Sequence, residues 1–154
     1  MTDIVWLKIG DEIVLDGADH RVVEVLVCRA DRESFQRVTV TPQLGGEARM
    51  LLQREGPMLE ATVLDPAVLS GERIEIGGRS FTLRWEGQAR IEHHAEGSAV
   101  SFGRGRCAWY VADDGAVATL IVQRYEQHAV LGVPLTPARI DLRFTEGLRR
   151  GRER

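Results

Sequence analysis

The chain has 154 residues, 44% hydrophobic and 28% charged, enough for one ordinary domain. A domain of this size buries about 70% of the surface its unfolded chain exposes, so neither a disulfide nor a metal is needed to hold it together. The formal net charge of −3 lacks the basic surplus of a nucleic-acid-binding domain, and no nucleic-acid partner is expected.

No basic leader followed by an apolar stretch opens the chain, and no apolar run of about 18 residues occurs in it, so no transmembrane segment is expected and a cytoplasmic location is. Taken in order, the chain then reads as strands and tight turns. "EIVLDGADHRVVEVLV" sets Asp16 and Gly17 between two β-branched runs, the signature of a hairpin whose two central residues need positive φ. "FQRVTVTPQLGGEARMLLQRE" repeats the device around Gly45 and Gly46. "DPAVLSGER" predicts a single helical turn, with Asp65 as cap, Pro66 at its first position and Gly71 closing it, and this is nearly all the helix expected. "RIEIGGRSFTLRW" is a third hairpin and "CAWYVADDGAVATLIVQRYE", around Asp114 and Gly115, a fourth. "HAVLGVPLTPARIDLRF" holds two short strand-like runs broken by Pro134 and Pro137, which suit edges or bends because proline donates nothing to a ladder. The arginine-rich tail from Gly147 onward has almost nothing to bury and is expected to be disordered.

The hairpins recur in order. At an offset of 61, Gly10, Asp11, Ile13, Leu15, Gly17, His20 and Val22 fall on Gly71, Glu72, Ile74, Ile76, Gly78, Phe81 and Leu83. At an offset of 70, Gly45, Gln53 and Arg54 fall on Gly115, Gln123 and Arg124, the surplus lying around "EHHAEGSAV". This predicts an all-β domain over residues 1–146 with an internal duplication, its halves at about 5–56 and 68–144. Because an isolated hairpin is only marginally stable, the halves are expected to form curled sheets or half-barrels around a shared core.

The series "LKIGDEIVLDGADHRVVEV", "ERIEIGGRSFTL" and "AWYVADDGAVATLIVQRYEQHAVLGVPLTPARIDL" resembles the bacterial family known as domain of unknown function 4178, over roughly residues 7–144. The chain departs from that family's pattern where "FQRVTV" stands in place of a strand carrying tryptophan, acid and tyrosine. The resemblance implies an all-β cytoplasmic domain of bacteria, accessory to membrane-associated or stress-related systems.

Chemistry is sparse. In "RIEHHAEG", strand alternation sends His93 and His94 to opposite faces, so they do not chelate one metal together, whereas Glu92 and His94 share a face. A solvated polar loop is the reading for this stretch. Cys107, like Cys28, sits in an apolar run and is expected to be a reduced, buried thiol. "FGRGRC" brings Arg104 and Arg106 next to glycines that let an anion approach, although a mobile loop is the plainer expectation. The chain carries no phosphate-binding loop, dinucleotide fingerprint or EF-hand, so no cofactor, metal site or catalytic residue is assigned. The candidate ligand-binding residues are Glu92, His94, Arg104, Arg106, Glu126 and His128. The function expected is a non-catalytic binding or protein-interaction module that meets a protein partner at an exposed strand edge or at the seam between halves. The alternative is a small-ligand or metal-dependent enzyme with a polar pocket between the halves, formed by Glu92, His93, His94, Glu126 and His128. The arginine tail adds at most weak contact with an anionic membrane surface.

Overall fold

The computed structural model describes residues 6–30, 33–54 and 58–142, and these form eleven strands with almost no helix. In chain order they are β1 (Glu12–Leu15), β2 (Ala18–Arg29), β3 (Ser34–Pro42), β4 (Arg49–Gln53), β5 (Leu59–Leu64), β6 (Arg73–Ile76), β7 (Arg79–Ala95), β8 (Ser101–Ala112), β9 (Val117–Gln123), β10 (Glu126–Pro134) and β11 (Ile140–Asp141). The all-β expectation holds. The turn chemistry is visible in the backbone: Asp16 and Gly17 have φ of 51° and 79°, Gly77 and Gly78 of 56° and 80°, the left-handed pairs that a two-residue hairpin turn requires. Asp65 caps a single 3₁₀ turn over Pro66–Val68, its carboxylate accepting from the Ala67 N–H at 3.0 Å.

Neighbouring strands pair antiparallel in the order β11-β1-β2-β3-β4-β5-β10-β9-β8-β7-β6, and β2 also pairs with β7. That extra pairing closes β2–β5 and β7–β10 into one eight-stranded barrel, with β1 and β11 beside one part and β6 beside the other. Both junctions between the halves, β5 with β10 and β2 with β7, are hydrogen-bonded ladders. Among the described residues the halves are therefore not parted by an open seam; β6 and β11 end the strand order, and Ser101–Gly105 of β8, which pair with β7 but not with β9, present a further unpaired edge.

Two features of β1–β2 recur in β6–β7. The Val22 N–H donates to the Asp11 carbonyl at 2.9 Å, and the Leu83 N–H to the Glu72 carbonyl at 2.7 Å. Register shifts fall at Val22/Glu24 in one long strand and at Leu83/Trp85 in the other. The difference is the β7–β8 hairpin, where β7 runs on past Arg90 so that Ile91–Ala95 pair with Cys28–Glu24 of β2. The stretch "EHHA" is thus strand and not the expected loop, because its backbone groups find ladder partners on β2. "FGRGR" is strand as well, within β8, and not a mobile loop. Gly105 is required there: a Cβ on it would intrude on the Val122 carbonyl oxygen and come within 2.6 Å of Ile91 Cδ1.

Period-2 alternation yields three apolar layers. Leu26, Cys28, Phe35, Leu52, Ile91, Trp109, Ile121 and Val130 fill the barrel. Val25, Val27, Val38 and Leu51 face outward and are covered by Leu7 and by Ile13 and Leu15 of β1. Phe81, Tyr110 and Ala118 face outward from the second half and are covered by Ile74 of β6 and by Leu69. Because β6 pairs along β7 only from Arg79 to Thr82, the outer face of β7 and β8 beyond that point is uncovered. Cys28 and Cys107 are free and buried in the barrel, their sulfurs 3.0 Å apart. The hydrogen bond from Cys107 and burial push the Cys28 thiol up, so it stays protonated and is no nucleophile. No helix among the described residues is long and apolar enough to cross a membrane. The tail from Gly147 and the expected domain end at 146 lie outside the described residues.

Candidate functional site: an arginine groove on the barrel wall

On the uncovered wall, inward Ala89 and Ile91 alternate with outward Gln88, Arg90 and Glu92, and inward Gly103, Gly105 and Cys107 with outward Phe102, Arg104 and Arg106. The ladder register then places Arg29 of β2 directly opposite Arg90 of β7, and Arg90 directly opposite Arg104 of β8. Three arginines stand in a row across three adjacent strands, about 4.8 Å from one strand to the next. Together with Arg106, Gln88 and Phe102 they line an open groove of about 900 Å³.

None of the described residues lining the groove is acidic. At its border the Arg29 Nε–H donates to Glu92 Oε2 at 2.9 Å. The Arg90 guanidinium lies 5.0 Å from the centre of the Phe102 ring, which is 57% exposed. Among the described residues Arg104 and Arg106 form no ion pair. Like charges directly opposite each other destabilise a sheet by a few tenths of a kcal/mol to about 1 kcal/mol. Glu92 offsets the charge of Arg29, so Arg90 and Arg104 are the directly opposed pair with no described acid beside them, the place where an anion would find the least compensated charge.

Glu92 and His94 lie farther along the same face, with His94 Nε2 3.1 Å from Glu92 Oε1. The Arg29 guanidinium holds the Glu92 carboxyl below its usual range, burial opposing and His94 adding to the effect. Both residues, with Arg29, Trp6 and Lys8, border a second pocket of about 320 Å³ over β2. Gln36 lines it too but is fully engaged, its Oε1 accepting from the Leu7 N–H at 3.0 Å and its Nε2 donating to the Leu7 carbonyl at 2.6 Å. That side chain anchors the entering segment and is not available to a ligand.

His93 points the other way, as alternation requires, and its Nε2 lies 3.0 Å from Glu24 Oε2. Thr39 donates to Glu24 Oε1 at 3.2 Å, and Arg37 stands 4.0 Å from the same oxygen. Burial raises the Glu24 carboxyl, but His93 and Arg37 outweigh it and leave the group below its usual range. The acid is thereby engaged on all sides. Glu126 and His128 lie 3.2 Å apart at the exposed start of β10, two strands away from β8. The candidate residues are therefore distributed over three places: Arg104 and Arg106 in the groove, Glu92 and His94 at its border and on the second pocket, Glu126 and His128 elsewhere. No group of three or more potential metal ligands converges among the described residues.

Sequence reasoning overlooked Arg29, Arg90 and Phe102. A signal for two of them was present, since the offset that aligns the first hairpins also lays Arg29 on Arg90. No protein-family model matches the chain, and no curated protein and no solved structure shows a significant match to it.

Proposed function

We propose that the protein is a non-catalytic binding module whose recognition face is the arginine groove of β2, β7 and β8, and whose ligand carries carboxylate or phosphate groups. The observation that carries this reading is the row Arg29, Arg90 and Arg104, like charges held directly opposite one another with no acidic residue among the described groove lining. A protein partner and an accessory cytoplasmic role agree with the resemblance to the domain of unknown function 4178 family. The alternative, an enzyme with a polar pocket shared by the halves, has less support, because its five residues are divided between two faces of β7 and the start of β10.

The test is a pair of thermal melts. Arg104→Gln relieves the like-charge row and raises stability by about 0.2–1 kcal/mol at low salt, a gain that disappears near 1 M salt, where the screening length falls to about 3 Å. Tripolyphosphate raises the melting temperature of the unaltered protein and not that of the Arg90→Gln/Arg104→Gln double variant. A variant that is no more stable at low salt, together with no anion effect on either protein, would contradict the proposal.

A further inference from the structure

We infer that the occupant of the groove is an extended acidic segment of a partner protein, laid across β2, β7 and β8 with its carboxylates on Arg29, Arg90 and Arg104. This rests on the binding-face reading above and names the partner's chemistry.

The cations are all arginine, whose planar fork meets a carboxylate through two parallel hydrogen bonds. Glu92 already shows one such meeting, its Oε2 taking the Arg29 Nε–H at 2.9 Å. In the complex a carboxylate of the partner shares or takes over that contact. The spacing suits an extended chain. Side chains on one face of a strand recur about every 6.7 Å, while the two outer arginine-bearing strands of the row are about 9.6 Å apart, a difference that the long arginine arms absorb. Two acids at positions i and i+2 therefore engage the row, and the intervening side chain points away from it.

The aromatic neighbours favour a protein as the source of the carboxylates. Phe102 is 57% exposed beside Arg90, and Tyr125 is fully exposed in the adjoining depression that Phe102 and Arg124 also line. Arginine beside tyrosine and phenylalanine is a composition enriched at protein–protein contact surfaces and their energetic centres. The charge of the whole chain points the same way. Nucleic-acid binders draw in a polyphosphate through a surplus of positive charge, whereas this chain carries −3 and attracts an anion only at short range, in the groove. A short acidic stretch on an otherwise ordinary protein meets that condition, and a long polyphosphate meets it poorly.

Fluorescence anisotropy at low salt separates the possibilities, using the full chain with labelled decaglutamate and labelled single-stranded decathymidylate as probes. The expected result is that decaglutamate binds more tightly than decathymidylate and loses at least about tenfold in affinity in Arg90→Gln/Arg104→Gln, equivalent to about 1.4 kcal/mol. Arg73→Gln, an exposed position on β6 outside the groove, binds as the unaltered protein does. Circular dichroism melts verify that both variants are folded. If decathymidylate binds more tightly and the double variant loses it, the groove is a binding face but the acidic-segment inference is wrong. If neither probe binds, or if the double variant binds decaglutamate undiminished, both the inference and the reading of the groove are wrong.

Discussion

Gly105→Ala tests how the arginines come to stand where they do. Gly105 lies on the inward face of β8 between Arg104 and Arg106, next to the Arg106–Val122 pair at which the β8–β9 ladder begins. An added Cβ intrudes on the Val122 carbonyl oxygen, which is backbone, and comes within 2.6 Å of Ile91 Cδ1, whereas real Cβ contacts essentially never fall below 3.0 Å. The Val122 carbonyl is backbone and cannot swing aside, so β8 and β9 must separate locally. Overpacking of this kind costs about 1–3 kcal/mol, and removing a glycine from the unfolded chain returns about 0.4–1 kcal/mol. The mid-range net loss is about 1.3 kcal/mol, which for a chain of this length lowers the melting temperature by about 3–5 °C. Gly103→Ala is the control. Its added Cβ meets the amide end of the Gln123 side chain, which can swing aside, and the change should cost less than about 1 kcal/mol. Calorimetric melts of the two variants decide the matter: a Gly105→Ala protein melting within 2 °C of the unaltered one, or no more affected than Gly103→Ala, refutes this account of how β8 packs.

Three further outcomes follow from the same geometry. Arg29 depresses the Glu92 carboxyl, Arg139 that of Asp16, and the Ala116 N–H that of Asp114, so each takes up a proton less readily in the folded chain than in the unfolded one. Their contribution to stability is complete above about pH 4.5 and is lost as the pH falls further, so the urea midpoint should drop between about pH 4.5 and pH 3, and an unchanged midpoint would contradict the pairing. Cys28 and Cys107 are buried and Cys28 is held protonated, so Ellman's reagent should leave the native protein unmodified and titrate both thiols only in denaturant; rapid reaction of the native protein would show the barrel interior to be accessible. Arg139 grips Asp16 through two hydrogen bonds of 2.7 and 2.9 Å and reaches Glu60 at 3.2 Å, fastening the segment before β11 to the β1–β2 turn. Because these groups are partly exposed, Arg139→Ala should cost no more than about 1 kcal/mol of global stability while speeding amide exchange at Asp16, whose N–H donates to the Arg139 carbonyl at 2.7 Å. Unchanged exchange there would mean that the ion pairs do not hold the segment.

The turns were readable from the chain because glycine and aspartate at positive φ leave a local mark: Asp16–Gly17, Gly77–Gly78 and the Asp65 cap all stand where residue type alone places them. Closure was not readable. Whether hairpins curl into two sheets or one barrel depends on which distant strands pair, and the pairing of Ile91–Ala95 with β2 joins residues more than sixty positions apart with no local signature. The same pairing converted "EHHA" from an expected loop into strand. A stretch rich in charge and histidine has the composition of a loop, and only a ladder partner overrides that. The groove was half readable. Arg104 and Arg106 were evident between glycines, but a row across three strands is a property of register, and Arg29 and Arg90 join it only once β2, β7 and β8 are laid side by side.

The most direct test of the central claim, that the row of arginines is the binding face, is a proton–nitrogen correlation spectrum of the arginine Nε–H groups during titration with decaglutamate. The account predicts that the Nε–H resonances of Arg29, Arg90, Arg104 and Arg106 shift together and saturate at one concentration, while those of Arg73 and Arg139 stay in place. Binding that leaves the four groove resonances unmoved, or that moves only arginines outside the groove, would contradict it.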